Sequence, residues 1–316
     1  MMARVPSHDR AAGRSIMSQH ALGTVLILLA LLAWAGNALV GRMAPDAHVP
    51  PLALNFWRWV IALAVLAPFA LTALRAQWRL FRAHWWLWCV FGIVSVAGFN
   101  AVFYFALQYT TVVQGTLIMG ALPILVLITA RIFLSQPITA RQLAGVLISI
   151  AGIGAIVTQG DPEMLRHLRF NVGDVWMLVA VSLWAAQIIL IRFLPRGMDL
   201  MAFQVAALIA GLAAALPLYV AETASGHPMP LSLHAVLSVA YTGLVASALG
   251  FTFWNMGAMR VSAKHAGYLG NLYPVFSASL GILVLGEPLR WYHAAGAALI
   301  FAGIYLATVA TAAERR

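Results

Sequence analysis

The two halves of this chain carry the same pattern of residues at an offset of about 151 positions. From Gly92 onward no gap is needed, so that Gly92 corresponds to Gly243. Upstream the offset is one residue shorter, and Trp34 corresponds to Trp184. A repeat that covers nearly the whole chain indicates two structurally similar halves. Further matched pairs are Asn37 with Gln187, Arg42 with Arg192, Pro123 with Pro274, Pro137 with Pro288, Gly145 with Gly296, and Gly152 with Gly303.

Each half contains five apolar stretches, and this odd number determines how the halves are related in a membrane. Of the 316 residues 63% are hydrophobic and 9% are charged, whereas a soluble domain has about 25% charged residues. A stretch of about 20 apolar residues crosses a bilayer. Because five spans end on the opposite side from where they began, the second copy must be inverted. The predicted spans lie near residues 21–41, 51–73, 85–107, 111–134, 139–159, 172–193, 199–221, 231–257, 262–286 and 290–311.

The predicted fold class is therefore all-α: a polytopic membrane protein of ten transmembrane helices, arranged as two inverted five-helix repeats around a central cavity. Many secondary transporters use this arrangement to expose a midplane site to each side in turn. Residues 1–17 lack the apolar core of a signal peptide, and Met17 is an alternative start. The expected organisation is a disordered cytoplasmic tail over 1–19, the first repeat over 20–160, a connecting loop over 161–171, the second repeat over 172–312 and a cytoplasmic tail over 313–316.

The net charge of +10 is explained by membrane topology rather than by nucleic-acid binding. Fourteen of the nineteen Lys and Arg residues fall in tails or loops on one side, four fall on the other, and Arg58 lies inside a span. Cationic loops resist translocation, so both termini are predicted to be cytoplasmic. Contact with anionic lipid head groups is expected in addition. Arg58, about two turns from the outer end of span two, is expected to extend toward the head groups.

Several kinds of chemistry are disfavoured by the residues that the spans contain. The sequence has no phosphate-binding loop of the Gly-x-x-x-x-Gly-Lys-Ser/Thr type, and therefore no ATP motor of its own. The single cysteine, Cys89, supports neither a disulfide framework nor a metal-binding cluster. All nine Asp and Glu residues map to tails, loops or span ends, which disfavours a carboxylate proton relay and leaves His265 as an intramembrane titratable group. No metal or cofactor is expected.

Uncharged polar and aromatic side chains recur inside the spans at positions that match between the repeats. Asn100 and Tyr104 share a face of span three, and Phe251 and Asn255 occupy the corresponding places in span eight. An unpaired amide in hydrocarbon costs about 2–7 kcal/mol. Interhelical hydrogen bonds explain any one amide, but a cavity at the repeat interface explains the set better. The predicted cavity residues are Trp34, Asn37, Asn100, Phe103, Tyr104, Trp184, Gln187, Trp254, Asn255, His265, Tyr268 and Asn271.

Spans four and nine are predicted to bend. Pro123 and Pro274 stand near their middles, where each removes a backbone hydrogen bond. The symmetric pair is interpreted as two bends that open the cavity alternately. Both spans begin after tight connections, capped by threonines in one copy and by Ser262 in the other. Lys264, in the first turn of span nine, either extends to lipid phosphate or attracts a carboxylate at the cytoplasmic mouth.

Spans five and ten carry stripes of small residues. Gly145 and Ser149 are four residues apart in span five, and Ala294, Ala298 and Ala302 have the same spacing in span ten. Such stripes allow close contact between helices. These spans are therefore predicted to be structural, either packing on their own half or forming a dimer.

These features together resemble the ten-helix transporters of the EamA type in the drug/metabolite transporter superfamily. The resemblance covers about residues 20–311 and implies a substrate cavity walled by helices one, three, four, six, eight and nine, with helices five and ten peripheral. Only the second copy keeps the acidic residue usual in the motif. The residues that carry the resemblance are Leu134-Ser135-Gln136-Pro137 with Gly145 and Ala151-Gly152, Leu285-Gly286-Glu287-Pro288 with Gly296 and Ala302-Gly303, and the two mid-span prolines.

Among such proteins the chain looks most like bacterial inner-membrane exporters of amino acids. The favoured function is export of aromatic and other apolar amino acids, such as tryptophan, phenylalanine, tyrosine and methionine, by alternating access, with ion coupling left open. A neutral cavity suits a zwitterion. The alternatives are efflux of another small metabolite or drug and, more distantly, a lipid-acting membrane enzyme, which would need a converging catalytic set. The expected partners are a small-molecule substrate and membrane lipids, without nucleic acid, in a monomer or homodimer.

Overall fold

The computed structural model describes residues 8–135, 137–161, 163, 171–261, 269–270 and 272–313. All regular structure within these residues is helical, which confirms the predicted all-α fold class. In the first copy, α1 is His8–Met43, α2 is Pro51–Ala76, α3 is Trp85–Leu107, α4 is Val112–Met119, α5 is Leu122–Leu134 and α6 is Ala140–Val157.

The second copy follows the same order. A short helix, Trp78–Ala83, precedes α3 in the first copy, and a turn of 3₁₀ helix, Ile191–Phe193, follows α7 in the second. The helices of the second copy are α7 at Val172–Leu190, α8 at Leu200–Ala224, α9 at Leu233–Ala258, α10 at Tyr273–Leu285 and α11 at Trp291–Ala313.

The lengths of these helices identify a polytopic membrane protein. In the part of the chain that the structure describes, α1, α2, α3, α7, α8 and α9 are each long and apolar enough to cross a bilayer. The pair α4 and α5 adds a seventh span if it is counted as one, and α6, α10 and α11 are shorter apolar helices. All of them lie where spans are predicted, and the count of ten spans stays a prediction.

The N-terminal segment differs from the expectation of a disordered tail over residues 1–19. α1 begins at His8 and continues without a break into the first span. Residues 1–7 and 314–316, and residues 162 and 164–170 of the connecting loop, lie outside the described residues.

Span four is bent by 40° between α4 and α5. Pro123 is the second residue of α5, where its ring leaves no N–H to continue the hydrogen bonds of α4. The predicted bend in span four is thus confirmed. Pro274 is likewise the second residue of α10, but residues 262–268 and 271 of span nine lie outside the described part of the chain.

The start of α4 is held from both copies. The Thr111 side chain accepts a hydrogen bond from the Gln114 N–H at 3.0 Å, which confirms the predicted threonine cap; Ser262 lies outside the described residues. The Glu287 carboxylate, from the connection between α10 and α11, accepts from the N–H groups of Val112 and Val113, both at 2.9 Å. The first N–H groups of a helix have no partner within it. Glu287 therefore satisfies two of them and ties the second copy to the first.

Replacing Glu287 by Ala is expected to loosen this contact. The two N–H groups of α4 would lose a charged acceptor, and hydrogen bonds to charged groups contribute about 1.5–3 kcal/mol each. We expect a loss of about 3 kcal/mol, measured as a lower unfolding temperature of the detergent-purified protein. Asp46→Ala, at an exposed acid in a connection, is the control and should leave the unfolding temperature unchanged. Equal unfolding temperatures for the two variants would contradict the stabilising role of Glu287 at the start of α4.

Spans five and ten pack on each other through glycines and Ser149. A Cβ atom placed on Gly152 would lie 2.7 Å from the Gly296 carbonyl oxygen. A Cβ atom placed on Gly303 would lie 2.4 Å from the Gly145 carbonyl oxygen. The Ser149 hydroxyl also donates to the Ile300 carbonyl oxygen at 3.3 Å. These contacts join α6 of the first copy to α11 of the second, whereas the predicted stripe of span ten, Ala294, Ala298 and Ala302, is exposed. The expectation that spans five and ten each pack on their own half is wrong, because the surface that each one contacts belongs to the other copy.

Candidate functional site

A buried arginine connects helices of the two copies. Arg58 is on α2, two turns after the helix begins at Pro51, and only 3% of its surface is exposed. The expectation that Arg58 extends to the lipid head groups is therefore wrong. Its side chain points between helices of the two copies instead, because polar partners are available there.

The partners of Arg58 are all uncharged. Its Nη1 donates to the Asn100 amide oxygen at 3.1 Å and to the Tyr104 hydroxyl at 2.6 Å. Its Nε and Nη2 both donate to the Ser247 hydroxyl, at 3.0 and 2.7 Å. The Tyr104 hydroxyl donates in turn to the Asn37 amide oxygen. These bonds connect α1, α2 and α3 of the first copy to α9 of the second.

Two π-helical segments supply partners of Arg58, one from each copy. They are Ile93–Asn100 within α3 and Tyr241–Leu249 within α9. The Asn100 amide donates to the carbonyl oxygen five residues earlier at 2.7 Å, and the Ser247 hydroxyl does the same at 2.8 Å. Wide turns of this kind occur frequently at functional sites. Here they place one partner on each side of the guanidinium.

Two matched glycines allow close crossings between helices of the two copies, one of them at Arg58. A Cβ atom on Gly243 of α9 would lie 3.0 Å from the Arg58 carbonyl oxygen, and one on Gly92 of α3 would lie 2.0 Å from the Ala207 carbonyl oxygen. Each glycine therefore faces the second helix of the other copy. The two crossings are related by the repeat, and the residues of the second copy at the place of Arg58, Ala207 and Leu208, are uncharged. The guanidinium is thus a feature of the first copy alone.

One aromatic cluster borders the guanidinium on the α1 and α9 side. The ring of Trp34 lies 5.3 Å from that of Trp254 and 5.6 Å from that of Phe251, between ring centroids. Phe251 is 6.0 Å from Trp59, and the Arg58 guanidinium lies 4.6 Å from the centre of the Trp59 ring. Cations are attracted to the faces of such rings. The cluster is therefore continuous with the polar side chains.

A second aromatic cluster is related to the first by the repeat. Trp184 of α7 stacks on Phe99 at 5.4 Å, and Phe99 lies 5.9 Å from Phe103. Phe103 contacts Tyr104 at 5.6 Å, which joins this cluster to the polar side chains from the α3 side. Trp184 corresponds to Trp34 and Phe103 to Trp254. Aromatic surfaces therefore border the polar site from both copies.

The structure brings together seven of the predicted cavity residues and leaves others apart. Asn255 is exposed, although the corresponding residue of the first copy, Tyr104, is buried. The two copies therefore do not contribute equivalently to the polar site. Gln187 is half-buried. The residues brought together are Trp34, Asn37, Asn100, Phe103, Tyr104, Trp184 and Trp254, and those outside the described part of the chain are Lys264, His265, Tyr268 and Asn271.

Sequence reasoning missed Arg58 and Ser247 as site residues. The signal for Arg58 was available, because it is a charged residue inside an apolar span with no charged counterpart in the second copy. Ser247 gave no such signal, since a serine in a span usually bonds to its own helix. The expectation of a neutral cavity is also corrected, because the buried polar site contains a cation.

Comparison with known proteins identifies the family. The model of the EamA-like transporter family matches residues 21–158 and 171–309, one match for each repeat. The chain belongs to this family. EamA-like proteins are transporters, and the buried polar side chains around Arg58 lie where the two family repeats meet.

Individual relatives agree with this assignment. The chain is 28% identical to the transporter YyaM of Bacillus subtilis, over 83% of this chain and 85% of that protein. It is 24% identical to a probable amino-acid metabolite efflux pump of Salmonella typhimurium, over 89% of this chain and 93% of that protein. A protein of known crystal structure shares the fold, with a TM-score of 0.58 at 20% identity over 92% of this chain and 98% of that one.

Proposed function

We propose that this EamA-family transporter exports amino acids with aromatic and other apolar side chains across the bacterial inner membrane, by alternating access between its two repeats. The observation that supports this most strongly is the pair of repeat-related aromatic clusters that border the buried polar site. Aromatic rings favour contact with aromatic and aliphatic side chains, while the amides and hydroxyls suit the polar end of an amino acid. The name of the Salmonella relative concerns the same class of solute.

A cationic drug suits this site less well than an amino acid. Arg58 is buried and would repel a second cation placed beside it. Chemical conversion of the solute is not proposed, because the relatives are named as transporters and efflux pumps.

Uptake by proteoliposomes tests the proposed solute class. We expect radiolabelled L-phenylalanine to enter liposomes that contain the purified protein, and unlabelled L-tryptophan and L-leucine to compete. Nucleobases and cationic drugs should not compete. Absence of uptake of every amino acid tested would contradict the proposal.

Variants of the aromatic clusters sharpen this test. Trp34→Ala and Trp184→Ala should each raise the half-saturating concentration about tenfold, since a well-placed aromatic contact contributes about 0.5–1.5 kcal/mol beyond its buried area. Trp78→Ala, at a tryptophan that is 57% exposed on the short helix before α3, is the matched control and should transport like the wild type.

The orientation that we propose places both termini in the cytoplasm. In a Cys89→Ala background, a cysteine at Arg79 or Arg196 should react with an impermeant thiol reagent only from the cytoplasmic side. A cysteine at Ser225, beyond the end of α8, should react only from outside, because an odd number of predicted spans separates it from Arg196. Labelling of intact cells against inverted vesicles measures this. The opposite pattern would reverse the orientation.

A further inference from the structure

The guanidinium of Arg58 has an incomplete environment. Arginine is almost never fully buried without a paired charge, and burying an unpaired charge is costly. Yet every hydrogen-bond acceptor of Arg58 is a neutral oxygen, and no carboxylate of the described residues pairs with it. The site therefore carries a positive charge that an anion could balance.

The two edges of the guanidinium are held differently. The Nη1 side donates to Asn100 and Tyr104, and Tyr104 is fixed in turn by Asn37, so this side is anchored within the first copy. The Nε and Nη2 side normally pairs with the two oxygens of a carboxylate through parallel hydrogen bonds. Here both donors converge on the single hydroxyl oxygen of Ser247. One small neutral group thus occupies a position suited to a carboxylate.

Two further buried polar atoms on the same face of α2 lack partners. Asn55, Arg58 and Trp59 are spaced three and four residues apart and so share a helix face. The Trp59 indole N–H and the Asn55 amide oxygen are buried and have no hydrogen-bond partner among the described residues. Buried polar groups are normally satisfied. Their lack of partners beside an unpaired cation indicates a place for a polar ligand.

We propose that Arg58 binds the carboxylate of the transported solute through its Nε and Nη2 edge, with the Ser247 hydroxyl holding that place when the solute is absent. The inference deepens the proposed function, since it rests on an amino-acid solute and names the group that is recognised. It places the carboxylate between α2 of the first copy and α9 of the second. Transporters of this architecture bind their substrates at such a repeat interface.

The position of Ser247 suits exchange with a solute. Its hydroxyl donates to the Thr242 carbonyl oxygen and accepts both hydrogen bonds from Arg58. A hydroxyl can keep its own intrahelical bond while a stronger, charged acceptor takes the guanidinium. Trp34, Trp59 and Phe251 lie on the same side, where they would contact the apolar part of the solute.

Analogue competition on the wild-type protein tests the inference directly. Uptake of labelled L-phenylalanine should be inhibited by unlabelled L-phenylalanine and by 3-phenylpropionate, and at least about 100-fold less well by L-phenylalaninamide, which lacks the carboxylate. A difference of 100-fold corresponds to about 2.7 kcal/mol, within the range for removing one partner of a buried charge pair. Equal inhibition by L-phenylalanine and its amide would overturn the inference and leave the proposed function standing.

Variants provide the second arm. In Arg58→Gln, the L-phenylalanine concentration that gives half-maximal thermal stabilisation should rise at least about 100-fold. The variant should also no longer discriminate between L-phenylalanine and L-phenylalaninamide. Arg75→Gln, at an exposed arginine of the same helix, is the matched control and should keep both. Discrimination that survives in a folded Arg58→Gln protein would overturn the inference, and if that variant does not fold, the analogue series on the wild type decides.

The outcomes also separate the two proposals. If the wild type takes up no amino acid but is stabilised by 3-phenylpropionate and not by its amide, the proposed function fails and the carboxylate site stands. If neither L-phenylalanine nor 3-phenylpropionate stabilises the wild type, the carboxylate site is contradicted.

Discussion

A disulfide between Val112→Cys and Gly281→Cys is expected to stop transport completely and reversibly. A Cβ atom placed on Gly281 of α10 would lie 3.2 Å from the Val112 Cβ at the start of α4, close to the separation of about 3.8 Å in disulfides. It would also lie 2.8 Å from a carboxylate oxygen of Glu287, a side chain that has to shift to accommodate the cysteine. α4 and α10 belong to spans four and nine, the corresponding spans of the two copies, and they meet at the end of the bundle predicted to face outward. Alternating access requires them to separate there. The measurement is exchange of L-phenylalanine by proteoliposomes after oxidation and again after reduction.

The controls for this prediction use the same positions. Each single variant, in the Cys89→Ala background, should be unaffected by oxidant. Reduction should restore exchange to the double variant. Full exchange by the oxidised, cross-linked protein would show that α4 and α10 do not need to separate, and alternating access at this end would be wrong.

Gly92→Ala is expected to destabilise the protein severely. The added methyl group would lie 2.0 Å from the Ala207 carbonyl oxygen and 2.9 Å from the Gly211 nitrogen. Both are backbone atoms, so they cannot move aside as a flexible side chain could. Overpacking typically costs about 1–3 kcal/mol and sometimes more. Because two helix backbones would have to separate here, we expect at least about 3 kcal/mol, measured as a lower unfolding temperature in detergent.

Gly154→Ala is the matched control for this substitution. Gly154 is also a helical glycine in an apolar span, but a Cβ atom there would have nothing within 4 Å. Alanine is the better helix former by about 0.5–1 kcal/mol, so this variant should be as stable as the wild type or slightly more stable. Similar unfolding temperatures for Gly92→Ala and Gly154→Ala would mean that α3 and α8 do not cross as closely as the structure has them.

The repeat made much of the architecture predictable. Matched prolines predicted the bend at Pro123. The matched tryptophans Trp34 and Trp184 were predicted to line one cavity, and they take related places in two aromatic clusters. The bend and the correspondence of the two tryptophans follow from the repeat itself. Proline lacks an N–H wherever it lies, and two copies with the same pattern bury the same face.

The centre of the site was not predictable in the same way. Whether Arg58 reaches lipid or protein depends on what faces it across α2, and its partners lie 42 to 189 residues away in the chain. The π-helical segments that position Asn100 and Ser247 have no sequence signature comparable to a proline. The pairing of α6 with α11 was missed for a related reason, since a stripe of small residues shows that a helix packs closely but not against which partner.

Exchange of L-phenylalanine by the purified wild-type protein in liposomes, with no ion gradient, tests most directly whether amino acids move through this chain by alternating access. A carrier that alternates can take in one labelled molecule for each unlabelled molecule that it releases. We therefore expect liposomes preloaded with unlabelled L-phenylalanine to accumulate the tracer well above its external concentration. Empty liposomes should only equilibrate. Equal tracer entry into loaded and empty liposomes would contradict the proposed mechanism.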